Sequence, residues 1–165
     1  MKPAQSAFAL LGLALAAALG GCEPAIEDGP PKLRLGRDEC TECGMSIVEG
    51  KSSAATVATI DGQRAELLWD DIGCMLDWER DNPAVPVLAR YVHDHGTEAW
   101  TDALTAHFVL SPKIITPMAS GLVAFEFSDS AQAAHAANGG VVLSWGDLAQ
   151  ARTAWLRSQG RLSSP

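Results

Sequence analysis

Ser53-Ala-Ala-Thr-Val-Ala-Thr-Ile60, then Asp61-Gly62, Arg64-Ala-Glu-Leu-Leu-Trp69 and Asp70-Asp71-Ile72-Gly73-Cys74-Met75-Leu76-Asp77-Trp78-Glu79-Arg80, is the stretch on which the fold turns. Its first eight residues alternate and are β-branched, which predicts a strand. Asp-Gly is a two-residue hairpin turn, and Arg64 to Trp69 supplies the returning strand. Asp70 is then placed to cap a helix running to about Arg80, with Ile72, Met75, Leu76 and Glu79 on one face. Asn82-Pro83 ends that helix, and the whole is a ββα unit.

Beyond it, Val87 to His93 reads as a strand, His95-Gly96 as a turn and Ala99 to Thr101 as the start of a partner strand. Ala106 to Leu110 reads as another strand, and Ser111 to Ser120, with Pro112 and Pro117, as a loop. Gly121 to Phe127 predicts a strand, and Ser128 caps an Ala-rich helix that Gly139-Gly140 stops. Val141 to Trp145 then reads as a strand and Asp147 to about Ser158 as a helix. Glu66-Leu-Leu-Trp-Asp-Asp-Ile72 and Val142-Leu-Ser-Trp-Gly-Asp-Leu148 echo one another as a strand ending in Trp, an acidic cap and an apolar residue. Strand-to-helix joints commonly look like this, so the echo carries little weight for a duplication. The class is α+β, and two small lobes suit the length.

Toward the N-terminus, Lys2, the apolar run 7–19 and Leu19-Gly20-Gly21-Cys22 form a secretory signal, too short to span a bilayer. The cysteine directly after Leu-Gly-Gly is similar to a bacterial lipobox, whose thiol is acylated and becomes the new N-terminus. Residues 1–21 are therefore read as signal peptide and Cys22 as the lipidation site. Glu23 follows Cys22 in place of the Asp that often retains lipoproteins in the inner membrane. The expectation is a membrane-anchored lipoprotein facing the periplasm from the outer membrane. Residues 22–37, rich in Pro and charge, read as a flexible tether.

The 165 residues carry 12 Lys and Arg against 20 Asp and Glu, a formal charge of −8. Loss of residues 1–21 removes Lys2 and leaves 11 against 20, or −9, on 144 residues. Such a chain does not attract phosphate backbones or anionic lipid, which argues against nucleic-acid binding and a polybasic membrane patch. Neutral or cationic partners fit better. The length excludes a large multidomain enzyme.

With Cys22 assigned to lipid, Cys40, Cys43 and Cys74 remain, an odd number that closes no disulfide framework. Either Cys40 and Cys43 pair while Cys74 stays buried, or some of these thiols do chemistry. Cys40-Thr-Glu-Cys43-Gly44-Met45 alone is unspecific. Zinc would want a second Cys or His pair, and the only close His pair, His93 and His95, lies in an alternating strand. A redox motif would open a helix after a strand, and no strand precedes this one. The surrounding sulfur tips the reading: Met45 adjoins Cys43, Met75 adjoins Cys74, and Met118 sits in the Pro-flanked loop. Thiolate and thioether are soft donors that favour Cu(I). Against this, Met75 reads better as a core side chain and Cys74 as an inert buried thiol. His93, His95, His107 and His135 read as surface or packing residues. Asp70 and Asp71, at a helix start, are most simply capping groups.

The lipobox, Cys40 to Met45, Trp69-Asp70-Asp71-Ile72-Gly73-Cys74-Met75, Pro117-Met118-Ala119-Ser120-Gly121-Leu122-Val123-Ala124-Phe125 and Gly139-Gly140-Val141-Val142-Leu143 occur in one order across nearly all of the mature chain. In this the sequence resembles the NosL family, copper-handling lipoproteins that accompany nitrous oxide reductase. The resemblance implies two small ββα-type lobes, approximately residues 38–85 and 86–165, after an N-terminal lipidated tether. It implies a metallochaperone rather than an enzyme, binding one Cu(I) through sulfur. Cys43 and Met45 fall on the cysteine–methionine motif, Cys40 on its first cysteine and Met118 on the loop methionine. Implied partners are nitrous oxide reductase or its maturation machinery, and a copper donor protein or transporter. The sequence departs from the family in having Met-Ala-Ser-Gly where Met-Gly-Ser is expected. Two rivals remain, a thiol–disulfide redox lipoprotein using Cys40 and Cys43, and a structural lipoprotein with a Cys40–Cys43 bridge.

Overall fold

The computed structural model describes residues 29–162, so the signal segment and Cys22 lie outside the described residues. Strand β1 (Ala54–Ile60) and β2 (Gln63–Trp69) form the expected hairpin in the register Ile60↔Gln63. Asp61 and Gly62 at its tip have φ of 51° and 76°. A turn with both central residues left-handed matches the twist of the strands, which is why Asp-Gly is used here. The helix α1 (Ile72–Asp81) follows and buries Ile72, Gly73, Cys74, Met75 and Leu76 in its first turns. Its cap is Asp71, extended at φ −145°, whose side chain accepts from the Gly73 amide. Asp70, expected in that role, lies one residue too early and is buried elsewhere.

Strands β3 (Val87–His93) and β4 (Trp100–Asp102) extend the first sheet on the side away from β2, giving the order β2-β1-β3-β4. The division at residue 85 expected from sequence thus cuts across a sheet, since β1 pairs through both of its edges, with β2 on one and β3 on the other. Strands β5 (His107–Leu110), β6 (Leu122–Phe125) and β7 (Val141–Leu143) make a second, antiparallel sheet in the order β6-β5-β7. Between β6 and β7 runs α2 (Ser128–Asn138), and after β7 comes α3 (Trp145–Ser158). Ser128 is the first helical residue of α2 and Phe127 occupies the cap position with no side-chain bond. Trp145, expected to end a strand, opens α3. Gly140 at φ 86° lets the backbone return against β5, where a Cβ would collide with the Leu110 carbonyl.

The two faces of the small sheet serve two clusters. Val109, Val123 and Phe125 pack on Ala131 of α2, while Phe108, Leu122 and Ala124 join Ala54, Trp69, Val92, Ile72, Met75 and Leu148 in the main core. Burying each such large side chain contributes roughly 1.5–3 kcal/mol. Asp94 joins the sheets through an isolated bridge to Ala124 and a bond of 2.8 Å from the Glu126 amide. Within the segment read as tether, Leu33 packs against the main core and the Gly36 amide donates to the Ile47 carbonyl at 2.7 Å. No helix among the described residues is long and apolar enough to cross a membrane.

Candidate metal centre

Two backbone bonds shape the Cys40–Met45 segment. The Cys40 amide donates to the Met45 carbonyl and the Gly44 amide to the Cys40 carbonyl, each at 2.8 Å. Gly44 at φ 72° reverses the chain without steric cost. The Thr41 amide donates to the Leu68 carbonyl at 2.8 Å and pins this turn to the end of β2. The thiols of the turn therefore meet the β2–α1 junction. Cys40 Sγ, Cys43 Sγ, Cys74 Sγ and a carboxylate oxygen of Asp70 all lie within 4.8 Å of one another. Tetrahedral thiolates at ~2.3 Å from a metal stand ~3.8 Å apart, so small side-chain rotations complete a coordination shell.

All three thiols are free. Cys40 and Cys74 are buried, at 2% and 4% exposure, whereas Cys43 is half-buried at the mouth. The Cys43 thiol donates to both oxygens of Asp70 at 3.7 Å, and the Cys40 and Cys74 sulfurs lie within 4.8 Å of one another. The neighbouring Cys74 thiol brings the Cys40 thiol down to about 7 against the opposing effect of burial. Burial pushes Cys43 up to about 11, with the negative charges of Cys40 and Asp70 adding to it. Cys74 is raised further, because its proton is shared with Cys40 and its site is buried. Of the three thiols, Cys40 is the one that ionises most readily.

Asp71 joins the cluster to the loop that carries Met118. One of its oxygens caps α1 at 2.7 Å from the Gly73 amide. The other accepts from the Thr116 hydroxyl at 2.7 Å and from the Met118 amide at 3.0 Å. Met118 is half-buried against the core that contains Cys40 and Cys74. Ala119 beside it has φ 53°, a left-handed conformation that glycine adopts more readily. Met45 is 51% exposed.

Of the residues singled out from sequence, Cys40 and Cys43 are brought together, Met118 packs on the main core with its amide bonded to Asp71, and Met45 is left at the surface. Cys74 and Asp70, read as an inert thiol and a cap, stand inside the cluster. One signal for both lay in the doubled acid, since a helix start needs one capping carboxylate and leaves the other free. None of the described histidines belongs to the cluster, and His93 is instead buried with Nδ1 2.7 Å from Ser53 Oγ and its ring stacked on Trp100.

Three thiols and one carboxylate form a sulfur-rich set suited to a thiophilic metal ion and poorly suited to magnesium or calcium. Cys40 and Cys43 lie in a turn, not at a helix N-terminus.

A search of curated proteins returns no match. Among solved structures the fold is similar to the copper chaperone NosL from Shewanella denitrificans, with a TM-score of 0.60 and 20% identity, covering 72% of this chain and 96% of that one. The NosL family matches residues 34–153, which hold the cysteine turn, the β2–α1 junction, the Met118 loop and both sheets. The chain belongs to the NosL family.

Proposed function

We propose that this chain is a lipoprotein metallochaperone that binds Cu(I) through cysteine and methionine sulfur and delivers it for assembly of the copper centres of nitrous oxide reductase. The observation that carries the reading is the gathering of Cys40, Cys43 and Cys74 with Asp70 within 4.8 Å at a partly open site. Cys43 is the thiol an arriving ion meets first, Cys40 stands behind it, and Met118 and Met45 supply thioether from the adjoining loop and turn. Soft neutral thioethers hold Cu(I) without adding charge, which suits an ion that must be passed on. The name of the Shewanella neighbour and the family membership support copper as cargo. The protein acts as a carrier and not as an enzyme. Its partners are a copper donor protein or transporter on one side and nitrous oxide reductase or its maturation machinery on the other.

Titration of the reduced protein with Cu(I) against a competing chelator, without oxygen, tests the binding. Uptake tighter than about micromolar is expected, weakened by Cys43→Ser and by Met118→Leu. Wild-type affinity in both variants would sink the reading. Delivery is tested by incubating the copper-loaded protein with copper-free nitrous oxide reductase and following the reductase's copper spectrum. Anchoring through Cys22 in the outer membrane, facing the periplasm, is tested by fractionating cells that make wild type or Cys22→Ala, with release of the variant expected.

A thiol–disulfide redox role draws support from the lowered Cys40 thiol. The burial of Cys40, 2% exposed, disfavours it, because attack on a protein disulfide needs an accessible thiolate. Reduction of insulin at a useful rate would decide for it.

A further inference from the structure

The thiol cluster holds one more sulfur than the sequence motif supplies, and its three members are not equivalent. Cys43 is half-buried and bonded to Asp70, while Cys40 and Cys74 are both buried and their sulfurs lie within 4.8 Å of one another. No pair of these sulfurs is more than 4.8 Å apart. Bringing two of them to the ~2.05 Å of a disulfide requires closing at most ~2.8 Å. Two thiols can thus be oxidised together while the third keeps its place as a soft ligand.

We infer that Cys40 and Cys74 form a built-in two-electron donor that reduces cupric ions to cuprous ions, closing a Cys40–Cys74 disulfide and leaving Cys43 to hold one product ion. The inference rests on the copper reading above and extends it to the oxidation state in which copper arrives. In the step, two Cu(II) ions each accept one electron and become Cu(I). Two S–H bonds break, one S–S bond forms, and two protons leave to solvent past Asp70, the carboxylate inside the cluster. One Cu(I) stays on Cys43 with the neighbouring methionine sulfur, and the other is released. Sulfur ligation favours the product because Cu(I) is the softer ion. The reaction is stoichiometric, one pair of thiols reducing one pair of cupric ions.

The test uses the mature lipoprotein in detergent, fully reduced, mixed without oxygen with two equivalents of aqueous Cu(II). The expected result is loss of the Cu(II) paramagnetic resonance signal, a fall from three free thiols to one, and a peptide map in which Cys40 is joined to Cys74. Cys74→Ser should slow the loss of signal by about tenfold or more. A persistent Cu(II) signal in the wild type would overturn the inference, as would three surviving thiols or a link through Cys43. The wild-type peptide map decides the matter even where Cys74→Ser fails to fold. Cu(I) titration of the same preparation separates the two claims. Protein that binds Cu(I) but leaves Cu(II) unreduced defeats only the redox pair. Protein that forms the disulfide but holds no Cu(I) defeats only the carrier.

Discussion

Trp69-Asp70-Asp71-Ile72-Gly73-Cys74 and Trp145-Gly146-Asp147-Leu148-Ala149-Gln150 are two versions of one strand-to-helix joint, and only the first carries chemistry. Both bury an apolar residue at the start of the helix, Ile72 in one and Leu148 in the other, each fully enclosed. At the first joint the acids turn inward: Asp70 is 2% exposed among three sulfurs, and Asp71 is fully buried with three donors on its oxygens. At the second, Gly146 stands where Asp70 would be, and Asp147 is exposed and accepts only a hydroxyl bond of 2.7 Å from Ser144. The joint motif alone therefore specifies a turn into a helix. A site arises where a second chain segment, the 40–45 turn, is pinned over the joint and a third, the Met118 loop, is tied to its cap.

The largest difference between the joints should come from their acids, since Asp71 caps α1 whereas Asp147 lies within the first turn of α3, behind the cap residue Ser144. Asp71→Ala removes a capping carboxylate and strands the Thr116 hydroxyl and the Met118 amide, at a cost of about 3 kcal/mol. Asp147→Ala should cost less than about 1 kcal/mol, since its oxygens face water. Urea unfolding of the two variants checks this, and equal losses would erase the distinction between the joints.

Alkaline pH should separate them next, because only the first joint holds thiols. An unfolded thiol titrates near ~8.5. Cys43, pushed up to about 11, and Cys74, raised further, keep their protons longer in the folded chain. Their stabilisation is complete below that unfolded value and is lost as pH rises through 11. Cys40, lowered to about 7, acts in the opposite sense: its contribution is complete above the unfolded value and fades as pH falls through 7. The reduced, metal-free protein should be most stable near pH ~8–9 and lose on the order of 2 kcal/mol toward pH ~11. Urea midpoints across that range measure it, with Cys43→Ser making the alkaline limb shallower and Cys74 accounting for the slope that remains. A flat wild-type profile would mean that the thiols do not feel their burial.

Glycine substitutions should move the joints in opposite directions. A Cβ on Gly73 would stand 2.7 Å from Ser120 Cβ and 3.0 Å from Arg152 Nη2, so Gly73→Ala should push the Met118 loop away and destabilise by about 1–3 kcal/mol. The nearest atom to a Cβ on Gly146 is Ser144 Oγ at 3.8 Å. Gly146→Ala should therefore stabilise by about 0.5 kcal/mol through helix propensity alone. Thermal melts of both variants read the sign directly, and a loss in Gly146→Ala would show that the second joint is as crowded as the first.

Where local patterns decide structure, the sequence was sufficient: alternation and Asp61-Gly62 define the first hairpin, and Gly139-Gly140 ends α2. What it could not reveal was pairing at a distance. Nothing in Val87 to His93 says that it pairs with β1 and completes the first sheet, because both edges of β1 look alike in sequence. The site divides in the same way. Cys40 and Cys43 were legible from their spacing, and Met118 through the family resemblance. Asp70 and Cys74 were hidden because they qualify only through contact with a turn some thirty residues earlier in the chain.

The smallest predicted effect concerns a loop present only at the first joint. Ala119 holds φ 53° while the Thr116 hydroxyl accepts from the Ser120 and Gly121 amides at 3.0 and 3.2 Å, so the bonds around it fix a conformation that a Cβ disfavours. Glycine at this position removes that steric cost and adds back some unfolded-state entropy, for a net gain of about 0.5 kcal/mol. Because Met118 precedes Ala119, the same substitution should leave Cu(I) affinity unchanged if Asp71 alone positions the loop. If affinity falls while stability rises, the left-handed alanine is itself part of what holds Met118 against the thiols. Melting temperature and Cu(I) competition measured on Ala119→Gly distinguish the two.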